Sequence, residues 1–157
     1  MKILILAIGQ KQPVWADAAV NDYLFRFPAD FKVELRQLKA EVRSGRGDDA
    51  ERCRSAESAR LRAALPAGAI AVALDERGRD HTTQQFAGQL GRWRDAGDSV
   101  AFLIGGPDGL DAGLRSDTGL TFRLSSLTLP HALARVVLVE QLYRAWSILA
   151  RHPYHRA

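Results

Sequence analysis

The sequence predicts an α/β domain with a mostly parallel sheet of five to six strands and flanking helices. Three observations carry this. Apolar runs of strand length alternate along the chain with segments of helical length. Two of those runs, 69–74 and 99–104, are apolar without alternation, as strands covered on both faces are. Each runs straight into a turn-forming stretch, Asp75-Glu76-Arg77-Gly78 and Gly105-Gly106-Pro107-Asp108-Gly109. The chain has 157 residues, which fits one domain spanning 1–157. Its 46% hydrophobic and 25% charged residues exclude a disordered or collagen-like chain. Cys53 is the only cysteine, so no intramolecular disulfide forms and a reducing compartment, the cytoplasm, is expected.

The elements follow in order. Residues 2–8 are apolar after Lys2 and read as a buried strand; the run stops at Gly9-Gln10-Lys11 without a signal-peptide cleavage site. No stretch approaches the ~20 apolar residues of a membrane span, so no membrane partner is expected. Pro13 opens a helix to about Phe27, ended by Pro28, with a stripe of Val14, Ala18, Tyr23, Leu24 and Phe27. A strand at about 32–38 alternates Val33, Leu35 and Gln37 with charged neighbours, as an edge or half-exposed strand does. Ser44-Gly45-Arg46-Gly47 is a loop, and Asp48 can cap an arginine-rich helix to about Leu65, stopped by Pro66-Ala67-Gly68. The third strand spans about 69–74 and is broken by Asp75–Gly78. Thr82-Thr83-Gln84-Gln85 fits a capping box for a helix ending near Gly97. A fourth strand covers 99–104, a fifth about 120–124, and a long helix runs from Pro130 to about Ala150, capped by Thr128 or a preceding serine.

That last helix is apolar around most of its circumference, from Leu133 through Leu149. A helix of this kind is buried. A small domain has little with which to cover it, so a second copy of the chain, a homodimer, is expected. Glu140 and Arg144 stand four residues apart and are placed to pair.

Charge is unevenly distributed. The formal net charge is +4, and residues 118–157 account for all of it: Arg123, Arg135, Arg144, Arg151 and Arg156 face Glu140 alone. Three of the four histidines lie there too. A basic end with Arg151-His152-Pro153-Tyr154-His155-Arg156 suits a polyanion, with arginine for phosphate and an aromatic ring for a base. His152 and His155 lack further ligands at metal spacing, and no metal is expected.

Ligands of open α/β sheets bind beyond the carboxyl ends of the strands. Three such ends stand out: Leu74–Gly78, Ile104–Gly109 and Leu124–Pro130. The sequence has no G-x-G-x-x-G, no G-x-x-x-x-G-K-[ST] and no G-x-S-x-G, which disfavours dinucleotide, phosphate-loop and hydrolase chemistry. Gly105-Gly106 permits close backbone approach to a ligand. Ser125-Ser126-Leu127-Thr128-Leu129-Pro130 places hydroxyls and free backbone groups between a strand and a helix.

These residues resemble a known family. Ile104–Gly109, Leu124–His131, Tyr143-Arg144-Ala145-Trp146 and His152–Arg156, with Trp15 and Tyr23–Pro28, are similar to the bacterial ribosomal large-subunit RNA methyltransferase H family of the SPOUT class. The resemblance covers essentially the whole chain. It implies a trefoil knot at the C-terminal end of the sheet and S-adenosylmethionine bound within it. It also implies a homodimer whose site both chains complete, and methylation at N3 of a pseudouridine in 23S rRNA of the large subunit. Carried over residue by residue, cofactor contacts fall on Leu74, Gly105, Leu124, Ser125, Ser126, Leu127, Thr128 and Leu129. Glu76-Arg77 departs from the pattern by adding charge at the rim.

Methyl transfer to an imide nitrogen needs alignment and loss of the imide proton. The candidates for that step are His131, Tyr154 and His155, with His152 a further titratable group and Arg144 to steady the imide anion; the sequence does not choose the base, and water is an alternative proton acceptor. Arg144, Arg151, His152, Tyr154 and Arg156 are the RNA-binding set. A contrasting reading is a non-enzymatic ribosome- or RNA-binding factor on the same fold, which would keep the basic tail but need no intact Gly105 and Leu124–Leu129 constellation.

Overall fold

The structure is a computed structural model and describes residues 1–45, 47 and 49–156. Its elements are β1 (Lys2–Ile8), α1 (Val14–Arg26), β2 (Lys32–Leu38), α2 (Asp49–Ala64), β3 (Ile70–Asp80), α3 (Thr83–Ala96), β4 (Ser99–Ile104), α4 (Ala112–Thr118), β5 (Thr121–Arg123) and α5 (His131–Leu149). The strands form one sheet in the order β2-β1-β4-β3-β5, and every neighbouring pair is parallel. The alternating strand β2 lies on the edge, and the continuously apolar β1 and β4 lie inside.

Three layers result. Ile3, Ile5 and Ala7 of β1 face a core with Val20 of α1, Phe86 and Leu90 of α3, and Leu138 and Leu142 of α5. The alternate residues Leu4, Leu6 and Ile8 face Leu61 of α2 and Leu114 of α4. The period-two geometry of a strand makes this division, and it explains why β1 has no polar face to show.

The structure departs from the sequence-based expectations at several places. The α1 stripe holds at Tyr23, Leu24 and Phe27, which pack against the core, but in its first half Ala16 and Val20 are buried in place of Val14 and Ala18, and Val14 is 85% exposed. Asp75–Gly78 does not end β3. The strand bulges there, with both Leu74 and Arg79 opposite Phe122, and pairing resumes with Asp80 opposite Arg123. Gly78 makes the bulge possible, since a Cβ there would stand 2.6 Å from the Phe122 carbonyl carbon. The short helix α4, opened by Asp111 accepting from the Leu114 N–H at 2.6 Å, was not assigned from sequence.

Helix α3 carries the expected capping box, Thr82 with Gln85, and ends at left-handed Gly97. Helix α5 is capped differently from the expectation: Pro130 is its N-cap and no side chain bonds to its first turn. The Ser125 hydroxyl instead accepts from the Leu127 N–H at 2.9 Å, closing a local turn. Asp48, the expected cap of α2, lies outside the described residues. Helix α5 is also not left bare within one chain. It packs between α1 and α3, so its apolar circumference is largely covered by the chain's own helices. Among the described residues no helix is long and apolar enough to cross a membrane.

Candidate functional site

The bulge of β3 and the carboxyl ends of β4 and β5 converge on one cavity of about 540 Å3, within the range of small-molecule sites. β3 contributes Leu74, Asp75, Glu76 and Arg77, and β4 contributes Ile104 and the loop Gly105–Leu110. Arg123 and the segment Leu124, Ser125, Leu127, Thr128, Leu129 and Pro130 close it, followed by His131. Leu74, Ile104, Leu124 and Leu129 give it apolar walls, while Asp75, Glu76, Asp108 and four arginines give it a charged margin. Ser126, expected in this group, does not line the cavity. Arg115 pairs with Asp75 at 3.6 Å, and Arg123 pairs with Asp80.

The glycine loop is tightly folded. The Gly109 N–H donates to the Gly106 carbonyl at 2.9 Å. A Cβ on Gly105 would come within 2.7 Å of the Gly109 carbonyl carbon, so this glycine is required by the loop's own packing. A Cβ on Gly106 would collide with the Glu57 carboxylate. Ser58 Oγ accepts from the Asp111 N–H at 3.0 Å and fixes the loop's far end.

His131 opens α5 at the edge of the cavity. Its Nδ1 is buried and has no hydrogen-bond partner among the described residues. Burial lowers its pKa, the Gly106 backbone offsets this in part, and the nearby Arg135 cation lowers it again. The imidazole is therefore held neutral at physiological pH.

Sequence reasoning passed over Arg135. Its guanidinium is 2% exposed and donates to the Ile8 carbonyl at 2.9 Å and the Gly9 carbonyl at 2.7 Å. With the Gln37 amide oxygen turned toward it, Nη1 donates there at 3.0 Å as well. One cation thus ties the ends of β1 and β2 to α5. An arginine amid the apolar residues of a buried helix was the available signal.

The tail forms a second cluster, away from the cavity. Arg144 donates from Nε at 2.8 Å and Nη2 at 2.6 Å to Glu140 Oε1, the pairing expected from their spacing. Tyr154 donates to the same oxygen at 3.1 Å, and its hydroxyl lies 3.0 Å from that of Tyr23. Arg144 sits over the Tyr154 ring at 4.9 Å. Burial, with the Tyr23 and Glu140 contacts, raises the Tyr154 pKa, so it stands as a neutral phenol that donates. The Tyr154 N–H donates to His152 Nδ1 at 3.2 Å, while His155 Nδ1 donates to the His152 carbonyl at 3.0 Å. Neither Arg144 nor any of Arg151, His152, Tyr154, His155 and Arg156 lines the cavity of its own chain.

Comparison with known proteins settles the family. The family described as "Predicted SPOUT methyltransferase" matches residues 1–155. The chain belongs to the SPOUT methyltransferase family. It is 55% identical to the Ribosomal RNA large subunit methyltransferase H of Bordetella avium (strain 197N), over 157 residues and the full length of both chains. It is 54% identical to the proteins of the same name from Burkholderia vietnamiensis (strain G4 / LMG 22486) and Burkholderia multivorans (strain ATCC 17616 / 249), again over the full length of both.

Proposed function

We propose that this protein is an S-adenosylmethionine-dependent methyltransferase that acts on N3 of a pseudouridine in 23S rRNA, in the cytoplasm, on the large subunit or assembled ribosome. In this reading residues 1–157 act as one unit, with the C-terminal segment threaded as the trefoil knot the family resemblance implies. Two chains associate as a homodimer. The observation that supports the reading best is a cavity that gathers Leu74, Gly105 and five of the six residues from Leu124 to Leu129. The printed names of the full-length relatives point the same way.

The donor fits the residues present. Leu74, Gly105, Leu124, Ser125, Leu127, Thr128 and Leu129 would hold it, with the apolar members against the adenine and backbone groups at its polar edge. Bound there, it would supply an electrophilic methyl group on a sulfonium centre, to be transferred to the ring nitrogen. His131 stands at the edge of the cavity, and burial lowers its pKa, so its neutral imidazole is the group assigned to accept the imide proton. Arg151 and Arg156 contact RNA phosphates, while Arg144, His152, Tyr154 and His155 orient the target nucleotide. Because the tail lies off its own cavity, it serves the cavity of the partner.

Isothermal calorimetry with S-adenosylmethionine, followed by mass spectrometry of rRNA from a deletion strain, tests the reading. Binding of the donor together with loss of one methylpseudouridine in 23S rRNA is expected. An unchanged methylation pattern overturns the assigned target, and absence of binding points to an RNA-binding factor without enzymatic activity.

A further inference from the structure

We infer that Arg43, Glu57 and Asp108 form a positioning unit that holds the glycine loop of the cavity in its donor-binding shape; the inference rests on the methyl-donor reading of that cavity. Asp108 belongs to the loop, whereas Arg43 and Glu57 come from outside the cavity lining. Arg43 lies on the connection between β2 and α2, and Glu57 lies on α2.

Glu57 is a buried carboxylate, 1% exposed. Its Oε2 accepts from the Glu41 N–H at 3.0 Å. Its Oε1 has no hydrogen bond among the described residues and lies against Gly106, close enough that no Cβ fits between them. Among the described residues, the cation within ion-pair distance of Oε1 is Arg43, with Nη2 at 3.5 Å. The same guanidinium reaches over to the loop, where Nε and Nη2 donate to Asp108 Oδ2 at 3.1 and 2.6 Å.

A buried charge is tolerated only when it is neutralised in place. Here one guanidinium neutralises Glu57 and also grips the loop that Glu57 supports from beneath. If Arg43 is removed, Glu57 lies unpaired under Gly106 and Asp108 is released. The loop must then shift, and Gly105 with it, because the Gly106–Gly109 hydrogen bond makes it move as one piece. The first quantity to change is affinity for whatever the loop binds. Arg43 and Glu57 are thus positioning residues, acting through Gly105–Gly109.

The test is calorimetry with S-adenosylmethionine on the native protein and on Arg43→Ala, Arg43→Lys, Asp108→Asn and Glu57→Gln, with circular dichroism to verify folding. Arg43→Ala should raise the dissociation constant about tenfold, the size of a lost charge-assisted contact. Its kcat at saturating donor should stay within about twofold of native, since the reacting groups are untouched. Arg43→Lys keeps the charge but not the fork, and should recover affinity to within about threefold of native. Arg43→Ala combined with Asp108→Asn should lose less than the product of the two single effects, because both break one contact. Arg43 and Asp108 are partly exposed, so their variants carry the test if Glu57→Gln fails to fold. Native-like dissociation constants in folded Arg43→Ala and Asp108→Asn overturn the inference while leaving the methyl-donor reading intact. Absence of donor binding by the native protein overturns both.

Discussion

Gly105 illustrates how a residue can be placed correctly and explained incompletely. Sequence reasoning assigned its missing side chain to ligand approach. The structure shows that the space a Cβ would take is already filled by Gly109 and by Leu110 Cδ2, 2.7 and 3.0 Å away. Gly105→Val should therefore weaken donor binding sharply by deforming the loop and should also lower the melting temperature; native-like calorimetric affinity would remove Gly105 from the site. His131 supports a second expectation at this scale. Burial lowers its pKa, so the neutral, proton-accepting form persists to lower pH than for a free histidine of ~6.5. If it accepts the imide proton, kcat should fall only as pH drops through that lowered value, and His131→Asn should abolish this acid limb. A pH–rate profile unchanged in the variant assigns the proton to water.

At the scale of elements, the opening of α2 makes a prediction about acid stability. Asp49 accepts from Ser44 Oγ at 2.8 Å, from the Ser44 N–H and from the Gly45 N–H at 2.7 Å, and Arg52 pairs with it at 3.1 Å. The Ser44 hydroxyl bond is the largest cause of its pKa falling to about 2, with Arg52 and the two N–H groups assisting. A depressed folded-state pKa stabilises the fold above the unfolded value of ~3.9, and the contribution is lost as pH falls through the folded value. Urea unfolding between pH 5 and pH 2 should show this loss in the native protein, and Asp49→Asn should flatten it; equal pH slopes for both would refute the assignment.

The same scale shows what periodicity makes legible. β1, β2 and β4 have the bounds read from sequence, because a continuous or alternating apolar run ends where its burial ends. β3 was cut short because a bulge has the composition of a turn, and only pairing with β5 distinguishes them. The glycine loop and the Leu124–Leu129 segment were visible as motifs at strand ends. Glu57 was not, since a charged residue on an arginine-rich helix gives no sign of its burial; Arg135 stands out as an arginine among apolar residues, but its partners at the end of β1 are set only when distant strands are brought together.

For the whole molecule, the central fact is that the two clusters singled out in the sequence do not meet within one chain. Tyr154 is held by Glu140 and Tyr23, and the cavity lining contains no residue after Ala134. The apolar circumference of α5 does not by itself require a second copy, because α1 and α3 cover most of it. Exposed apolar side chains remain at Val14, Trp15 and Phe25 of α1, at Val42, at Leu127 by the cavity and at Leu133 of α5. If tail and cavity cooperate only between chains, removing residues 151–157 should abolish methyl transfer while leaving donor affinity nearly intact. Substituting Arg151 and Arg156 should weaken RNA binding and reduce its salt dependence, whereas Tyr154→Ala should cost turnover more than RNA affinity. The decisive experiment mixes a tail-deleted chain with a Gly105→Val chain, each inactive alone. A heterodimer pairs the intact cavity of one with the intact tail of the other, so about one working site per mixed dimer should return. Recovery that grows with mixing and saturates at the mixed-dimer fraction supports a site shared by two chains. Full activity of the tail-deleted protein by itself would make residues 151–157 dispensable and return the whole reaction to the cavity.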